Sequence, residues 1–444
     1  MALLDTKETA AGVVASYLAR FSGLDPRPAW LHQRRQAAFA RFAELGFPSH
    51  RQEGWRQTNV ARIAESIYAP QPPLPPGELV PRLRALELPG VDWSAEAVRL
   101  VFVNGVYAPG LSSPGAAAGC RVGPLAPLLA DEPDRVAPHL EHDDERDQAF
   151  VQLNTAFLAD GAFIEIAPRQ VVERPISILH LTTGCKERKG VAHPRTLVLA
   201  GRESQAAIVE TSAGFDGDVY FTNAVATIEL GDNARLEYTR LEQESRAAFH
   251  VSKLRARQGR DSRFTAHSVS LGGALVRNNV HAILDGEGAV CVLNGLYALD
   301  VAQHVDNSTI LDHARPLGTS REYYKGVLDG KAVGVFNGRI IVRQDAQHTD
   351  AIQSNKNLLL SDSAATASAQ PQLEIYADDV RCTHGATVGQ LDAQALFYLR
   401  SRGLGLEESR KLLIYAFAAD VLGRVEAAGL RPALEHLLWK KWAE

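Results

Sequence analysis

The sequence predicts a mainly β protein, a parallel β-helix flanked by N-terminal and C-terminal helical regions. Three observations predict it. From about residue 176 to 360, short segments rich in Val, Ile, Leu, Tyr and Phe alternate with Gly, Asp, Asn and Ser, with almost no helical periodicity. Within that stretch, glycine recurs at a nearly constant interval. Helical periodicity appears only towards the two ends of the chain.

The glycine interval is the strongest of these signals. Four glycines each follow one β segment and precede another: Gly201, Gly231, Gly259 and Gly286. Such a period is typical of a solenoid, in which each coil buries its apolar edge on the next. Gly330 continues the pattern after a longer interval, which we interpret as an inserted loop near residues 304–324. The pattern predicts a β-helix core over residues 99–390.

A small helical region is predicted before this core, over residues 1–68. Its apolar residues share one helix face, and Gly46 is placed to end that helix. The proline-rich run 69–77 follows, in which fixed φ angles and missing N–H donors exclude helix and central strand. We therefore predict a stiff linker over residues 69–98. The pair Asn104-Gly105 then predicts a hairpin turn.

A helical domain is predicted at the other end, over residues 391–444. Asp392 is a good N-cap for its first helix and Gly403 a good C′ residue. The second helix, from about residue 407 to 428, is apolar around more of its circumference than a lone surface helix needs. It must therefore pack on neighbouring elements, on a partner, or on both.

Composition and charge exclude several classes of function. The formal net charge of −5 gives no long-range attraction to nucleic acid or to an anionic membrane. No apolar stretch approaches the roughly 18 residues of a membrane span, and residues 1–21 lack the pattern of a secretory signal. The four cysteines form no C-x-x-C pair. We expect a cytoplasmic protein without a disulfide framework or a structural zinc site.

Cys382 and His384 form the richest local cluster. Because residues i and i+2 of a strand point to the same face, the pair could present sulfur and nitrogen to one site, and both atoms suit iron or an iron–sulfur cluster. Two ligands are too few to hold a metal alone. The alternative is that Cys382 is a packed small hydrophobe and His384 a hydrogen-bonded structural residue. Spacing alone leaves both interpretations open.

A second group of histidines and aspartates could suggest a hydrolytic metal site: His304, Asp306, Asp312, His313, His348 and Asp350. The sequence has no H-E-x-x-H, and polar side chains also line the turns of a solenoid, so a structural or interface role is favoured. P-loop, G-x-S-x-G and dinucleotide fingerprints are absent from the sequence. Any ATP chemistry must therefore come from another protein.

Several segments resemble the SufB/SufD family of iron–sulfur cluster assembly scaffold proteins: residues 334–338, 345–350, 353–360, 381–389, 397–404 and 414–421, with the shorter motif Glu-Gly-Trp-Arg at 53–56. The resemblance implies a right-handed parallel β-helix between helical regions. A SufB protein would be expected to have a cysteine near residue 354 and acidic residues beside the histidine. This chain has Ser354, Thr383 and Gly385, which favours the SufD branch.

The resemblance also implies partners and a cargo. Members pair through the ends of their β-helices, so we expect a heterodimer with a SufB-like paralogue and a nascent iron–sulfur cluster shared across that interface. His384 would complete the cluster site, with Cys382 as an auxiliary ligand. The C-terminal helices would bind a SufC-like ABC ATPase, and we expect six residues to contact partners: Phe397, Tyr398, Arg402, Leu413, Tyr415 and Phe417. Use of a flavin in the complex and a homodimer of the isolated subunit stay open.

The function predicted from these features is that of a non-enzymatic scaffold subunit. Two alternatives belong to other classes. One is a β-helix carbohydrate-active enzyme, with His304, Asp306 and Asp312 as candidate residues. The other is a purely structural adaptor that recruits the ATPase and holds the paralogue without touching the cluster.

Overall fold

A computed structural model of the chain describes residues 2–72, 74–94, 96–115, 119–140, 148–361 and 364–442. The protein is mainly β, with a parallel solenoid of about 7 turns between N-terminal and C-terminal helices. The predicted fold class is therefore confirmed.

Within the described residues, seven α-helices precede or interrupt the first strands: α1 (Ala2–Ser22), α2 (Ala29–Leu45), α3 (Ala61–Ala64), α4 (Pro76–Ala85), α5 (Ala126–Asp131), α6 (Pro133–Val136) and α7 (Gln148–Ala156). α2 ends where the sequence predicts. Gly46 has a φ of 62°, and its N–H donates to the Phe42 carbonyl. A positive φ of this kind is available to glycine without steric cost, which is why glycine ends so many helices.

The proline-rich segment departs from the predicted linker, because α4 begins inside it. Pro75 is the N-cap of α4 and Pro76 its first residue. The first N–H groups of a helix have no partner within the helix, so a proline there loses nothing and its φ is already suitable. The exclusion of helix therefore fails from Pro76 onwards. Pro73 lies outside the described residues. The predicted core range 99–390 likewise contains α5, α6 and α7 ahead of the regular coils.

The strands before the regular coils are β1 (Arg99–Val103), β2 (Val106–Tyr107), β3 (Cys120–Pro124), β4 (Ala162–Ile166), β5 (Ile176–Leu181), β6 (Gly190–Ala192) and β7 (Arg195–Ala200). β1 and β2 pair as the predicted antiparallel hairpin. Asn104 and Gly105 in its turn have φ angles of 53° and 80°, as a type I′ turn requires.

The regular coils comprise β8 (Gln205–Ala213), β9 (Tyr220–Leu230), β10 (Arg235–Gln243), β11 (Phe249–Gln258), β12 (Arg263–Ser270), β13 (Leu275–Leu284), β14 (Val290–Leu299), β15 (His304–His313), β16 (Thr319–Leu328), β17 (Val333–Val342), β18 (Asp350–Leu359), β19 (Thr366–Ile375) and β20 (Arg381–Gly389). Even-numbered strands form one sheet, ordered from β8 to β20, and odd-numbered strands form the other, ordered from β7 to β19. We call these the even sheet and the odd sheet. Each strand pairs in parallel with strands one coil away.

One corner of the solenoid is built from residues with positive φ on successive coils: Arg169, Glu203, Asn233, Asp261, Gly288, Leu317 and His348. Each donates its backbone N–H to a carbonyl of the next coil, as Glu203 does to Asp232 at 2.8 Å. The predicted glycines lie just before these positions. A Cβ on Gly286 would overlap the backbone of Gly259, so the glycine period reflects close approach between coils.

Gly330 corrects one detail of the prediction. It stacks on Val301 at the opposite corner, and Lys331 donates its N–H to the Val301 carbonyl there. At the corner of positive-φ residues described above, the coil between Gly288 and His348 is represented by Leu317, whose φ is 61°. Residues 304–324 therefore hold β15 and the start of β16 rather than an inserted loop. A leucine in the left-handed region is uncommon, so counting glycines missed this coil.

The C-terminal helices are α8 (Ala393–Ser401), α9 (Leu406–Leu422) and α10 (Leu430–Lys441). The Asp392 side chain caps α8 by accepting from the N–H groups of Gln394 and Ala395. Gly423 ends α9 earlier than predicted. Buried residues of α9 and α10 pack on outward apolar residues of the even sheet, among them Leu241, Val269 and Leu296. The apolar middle helix therefore does pack on neighbouring elements.

Membrane insertion by a helix finds no support in the described part of the chain, because none of its helices combines the length and apolar character that a span needs.

Candidate composite site at the open end of the solenoid

The solenoid ends in two edge strands, β20 in the even sheet and β19 in the odd sheet. β20 pairs with β18 on one side only, and every residue of β20 except the half-buried Cys382 is exposed. This end of the solenoid is therefore open, and the outward backbone groups of β20 have no neighbouring strand within the described chain. Unpaired strand edges of this kind are templates for association with another chain.

Cys382 and His384 both occupy inner positions of this last coil. Their register partners on β18 are Ala351 and Gln353, which are buried in the solenoid interior. Cys382 packs against the interior apolar cluster, whereas His384 is exposed because no further coil covers it. Burial raises the pKa of the Cys382 thiol, which favours the protonated form and makes it a poorer metal ligand.

A polar column lies beneath His384, and the sequence analysis missed it. Following the register of the even sheet inward from His384 leads to Gln353 and then to Glu322, one coil apart each time. The side chains of Gln353 and Glu322 are 1–2% exposed. Burial raises the pKa of Glu322 to about 7, and the neighbouring Thr309 hydroxyl and Gln353 amide oppose that rise.

The histidines and aspartates of the second group do not converge on one site. His304 and Asp306 contact Thr58 of the N-terminal region, with 3.1 Å between the His304 Nε2 and Thr58 Oγ1 atoms. Asp306 also forms a buried ion pair with Arg277, whose guanidinium carbon lies 4.0 Å from the centre of the Trp55 ring. These residues anchor the N-terminal region to the outer face of the odd sheet.

The other members of that group have separate partners. Asp312 forms a bidentate ion pair with Arg343, His313 contacts the Ser320 hydroxyl at 2.9 Å, His348 pairs with Asp379, and Asp350 pairs with Arg321. Throughout the described ranges, no three or more His, Cys, Asp or Glu side chains are grouped so that they could hold a metal ion. The contacts agree with the structural role that the sequence analysis favoured for this group.

The residues predicted to contact partners divide into two sets. Phe397 and Tyr398 on α8 are 74% and 57% exposed, and Arg402 lies over the Tyr398 ring. None of the residues of α8 is buried. An exposed aromatic pair on a helix that buries so little is characteristic of a protein–protein contact surface.

The second set lies on α9 and makes contacts within the chain. Leu413, Tyr415 and Phe417 are half-buried. The Tyr415 ring meets Trp439 of α10 edge-on, with 5.9 Å between the ring centres. Lys325 of β16 lies 4.4 Å from the centre of the Phe417 ring and donates to the Phe417 carbonyl. These aromatic residues hold the helical domain on the solenoid, so α8 is the freer surface.

Comparisons with known proteins agree with this architecture. Residues 181–417 match the family described as SUF system FeS cluster assembly, SufBD core domain. Residues 25–178 match the SufBD protein N-terminal region. Together the two matches cover the N-terminal region from α2 onwards, the coils and most of α9.

Several curated proteins are similar over most of the chain. An iron–sulfur cluster assembly SufBD family protein of Synechocystis is 32% identical over 91% of this chain and 90% of its own length. The iron–sulfur cluster assembly protein SufD of Escherichia coli is 32% identical over 87% of each chain. SufD of Bacillus subtilis is 25% identical over 98% of this chain and 99% of its own. The chain therefore belongs to the SufBD family of the SUF system for iron–sulfur cluster assembly.

Proposed function

We propose that this chain is a non-enzymatic scaffold subunit that meets a SufB-like paralogue at the open end of its solenoid and builds a nascent iron–sulfur cluster there. A SufC-like ABC ATPase binds at α8 and supplies the ATP chemistry. The cluster is cargo, assembled on the complex in the cytoplasm and then handed on. The similarity to SufD of Escherichia coli and of Bacillus subtilis supports a role in cluster assembly.

The observation that carries the proposal is the position of His384. Its ring is exposed on an unpaired edge strand, at an inner register position of the last coil. A second solenoid that docked end to end would cover this position and bring its own inner side chains opposite it. The exposed edges of β19 and β20 would be covered by the same contact, which removes a surface prone to unspecific association.

The donor set also supports a site shared between two chains. A cluster is usually held by four ligands, most of them cysteine thiolates. The open end offers an imidazole from His384 and a thiol from Cys382, whose pKa is raised by burial. The paralogue must therefore provide most of the thiolate ligands. A cluster held partly by imidazole suits a scaffold that must release its product.

The first test is His384→Ala in the anaerobically assembled complex with the SufB-like paralogue and the SufC-like ATPase. We expect cluster yield to fall at least about tenfold, by analogy with the loss that follows removal of metal-site residues. Absorption and Mössbauer spectra report the cluster, and flavin fluorescence of the denatured complex shows whether a flavin copurifies. His436→Ala, on the exposed face of α10, is the matched control. Unchanged cluster yield in His384→Ala, with complex assembly intact, would leave the structural adaptor as the better explanation.

The second test concerns α8. Replacing Phe397 and Tyr398 together by alanine is expected to weaken ATPase binding by about 2 kcal/mol or more, roughly thirtyfold, as is usual for central aromatic contacts. The side chains are exposed, so the stability of the isolated subunit should change by no more than about 0.5 kcal/mol. Titration calorimetry with the ATPase measures the loss. Ile67→Ala, at another exposed apolar residue, should bind like the wild type; equal binding by the α8 variant would place the ATPase elsewhere.

A further inference from the structure

The polar column beneath His384 is short and closed at its lower end. Glu322 aligns with Leu293 on the preceding coil of the even sheet, and Thr309 aligns with Val280 on the odd sheet. Leu293 and Val280 are buried members of the apolar core. The column therefore spans three coils, and its upper end, at His384, faces the open end of the solenoid.

The column holds buried polar atoms whose hydrogen bonds are not made. Among the described residues, neither carboxylate oxygen of Glu322 has a hydrogen-bond partner, and the same holds for the amide oxygen and nitrogen of Gln353 and for the Thr309 hydroxyl. A buried polar atom without a partner is destabilising. Thr309 and Gln353 are both close enough to Glu322 to lower its pKa, so four of the five atoms can pair with one another and the Gln353 oxygen is left over.

The space around Gln353 is fitted to its amide. Gln353 faces Gly338 of the odd sheet, and a Cβ at Gly338 would overlap the Gln353 Nε2 atom. Gly338 stacks between Thr309 and Pro371 in its own sheet. The amide therefore lies between the Thr309–Glu322 level below it and the Pro371–His384 level above it.

Counting donors and acceptors shows what is missing. The Thr309 hydroxyl and the Gln353 NH₂ group can both donate to the oxygens of the Glu322 carboxyl group. This arrangement turns the Gln353 oxygen towards the open end, as an acceptor without a donor. His384 is the register partner of Gln353 on β20, whose backbone lies one strand spacing of about 4.8 Å away, so its ring N–H can serve as that donor.

We propose that Gln353 is a positioning residue for His384. When the paralogue closes the end of the solenoid, the Gln353 oxygen accepts a hydrogen bond from one ring nitrogen of His384, and Glu322 fixes the orientation of the amide. This hydrogen bond selects one tautomer, which leaves the other ring nitrogen as the donor to the cluster. Ligating histidines usually have such a partner on the second nitrogen. The inference rests on the proposed function of His384.

The test compares Gln353→Met with a swapped pair, Glu322→Gln combined with Gln353→Glu, in the complete complex. Methionine keeps the volume and removes the acceptor, whereas the swap keeps an acceptor facing His384 and a donor below it. We expect Gln353→Met to shorten cluster retention against a chelator about 10–100-fold. It should also split the histidine nitrogen coupling, seen by pulsed EPR with ¹⁵N-histidine, into more than one population. The swapped pair should restore both.

The outcomes separate this inference from the proposed function. Wild-type nitrogen coupling and retention in Gln353→Met would overturn the positioning role while His384 stays a ligand. Wild-type coupling in His384→Ala would overturn the proposed function itself. If Gln353→Met does not fold, the swapped pair decides alone, because a cluster lost in that variant contradicts the proposal and a cluster retained with a single nitrogen coupling supports it.

Discussion

Asp306→Ala is expected to lower the free energy of unfolding by about 3–5 kcal/mol. Asp306 and Arg277 are 1% and 2% exposed, and they form an ion pair beneath the ring of Trp55. Removing the carboxylate leaves the Arg277 charge buried, and among the described residues the Asn279 side-chain oxygen, at 2.9 Å, is its remaining acceptor. It also removes the acceptor of the Thr58 hydroxyl, which ties the N-terminal region to the odd sheet.

Chemical denaturation followed by circular dichroism and by tryptophan fluorescence measures this loss. The matched control is Asp350→Ala, which breaks the half-exposed pair with Arg321 and should cost about 0–1 kcal/mol. Replacing Arg277 and Asp306 together by Met and Leu should cost less than Asp306→Ala, because no charge is then stranded. Equal stability of Asp306→Ala and Asp350→Ala would show that the N-terminal region is held mainly by apolar contacts.

Glu322→Gln is expected to raise stability at pH 8 and to leave it nearly unchanged near pH 4.5. Burial raises the folded-state pKa of Glu322 from 4.5 to about 7. The folded chain therefore binds this proton more tightly than the unfolded chain, and stability falls as pH rises through that interval. A difference of this size corresponds to about 3 kcal/mol above pH 7. Glutamine avoids the cost because it never ionises.

Unfolding midpoints measured from pH 4.5 to 8.5 test this expectation. The difference in stability between Glu322→Gln and the wild type should grow as the pH rises from 4.5 to about 7. Glu287→Gln, at an exposed corner residue, is the control and should track the wild type. A gap that stays constant with pH would mean that Glu322 keeps one protonation state throughout.

The fold could be predicted from the sequence wherever close backbone contact demanded a particular residue. Gly231, Gly259 and Gly286 lie where a Cβ would meet the backbone of the preceding coil, so their period shows in the sequence. Leu317 fills an equivalent corner without glycine, and the coil it belongs to was therefore mistaken for a loop. At Pro76 the sequence predicted a linker where a helix begins. Proline is compatible with the first turn of a helix although it is unsuited to a helix interior.

Only those residues of the site that lie close together in the sequence could be predicted. Cys382 and His384 are two residues apart on one strand, which strand geometry makes visible. Gln353 and Glu322 lie at successive steps of 31 residues before His384, and no short motif joins them. The signal that could have found them is the coil period itself, followed backwards from the histidine. Tyr415 and Phe417 make contacts within the chain. Helix periodicity shows that such residues are apolar, but it cannot distinguish contacts within the chain from contacts with a partner.

The coil arrangement also fixes the length of the solenoid in equal steps. Each coil adds one strand spacing, about 4.8 Å, while α9 docks against the neighbourhood of β14 and β16. Inserting one coil between β16 and β18 would keep the corner ladder but move His384 one increment further from the docked helices. The separation between the open end of the solenoid and the docked helix α9 is therefore set in whole coils rather than in single residues.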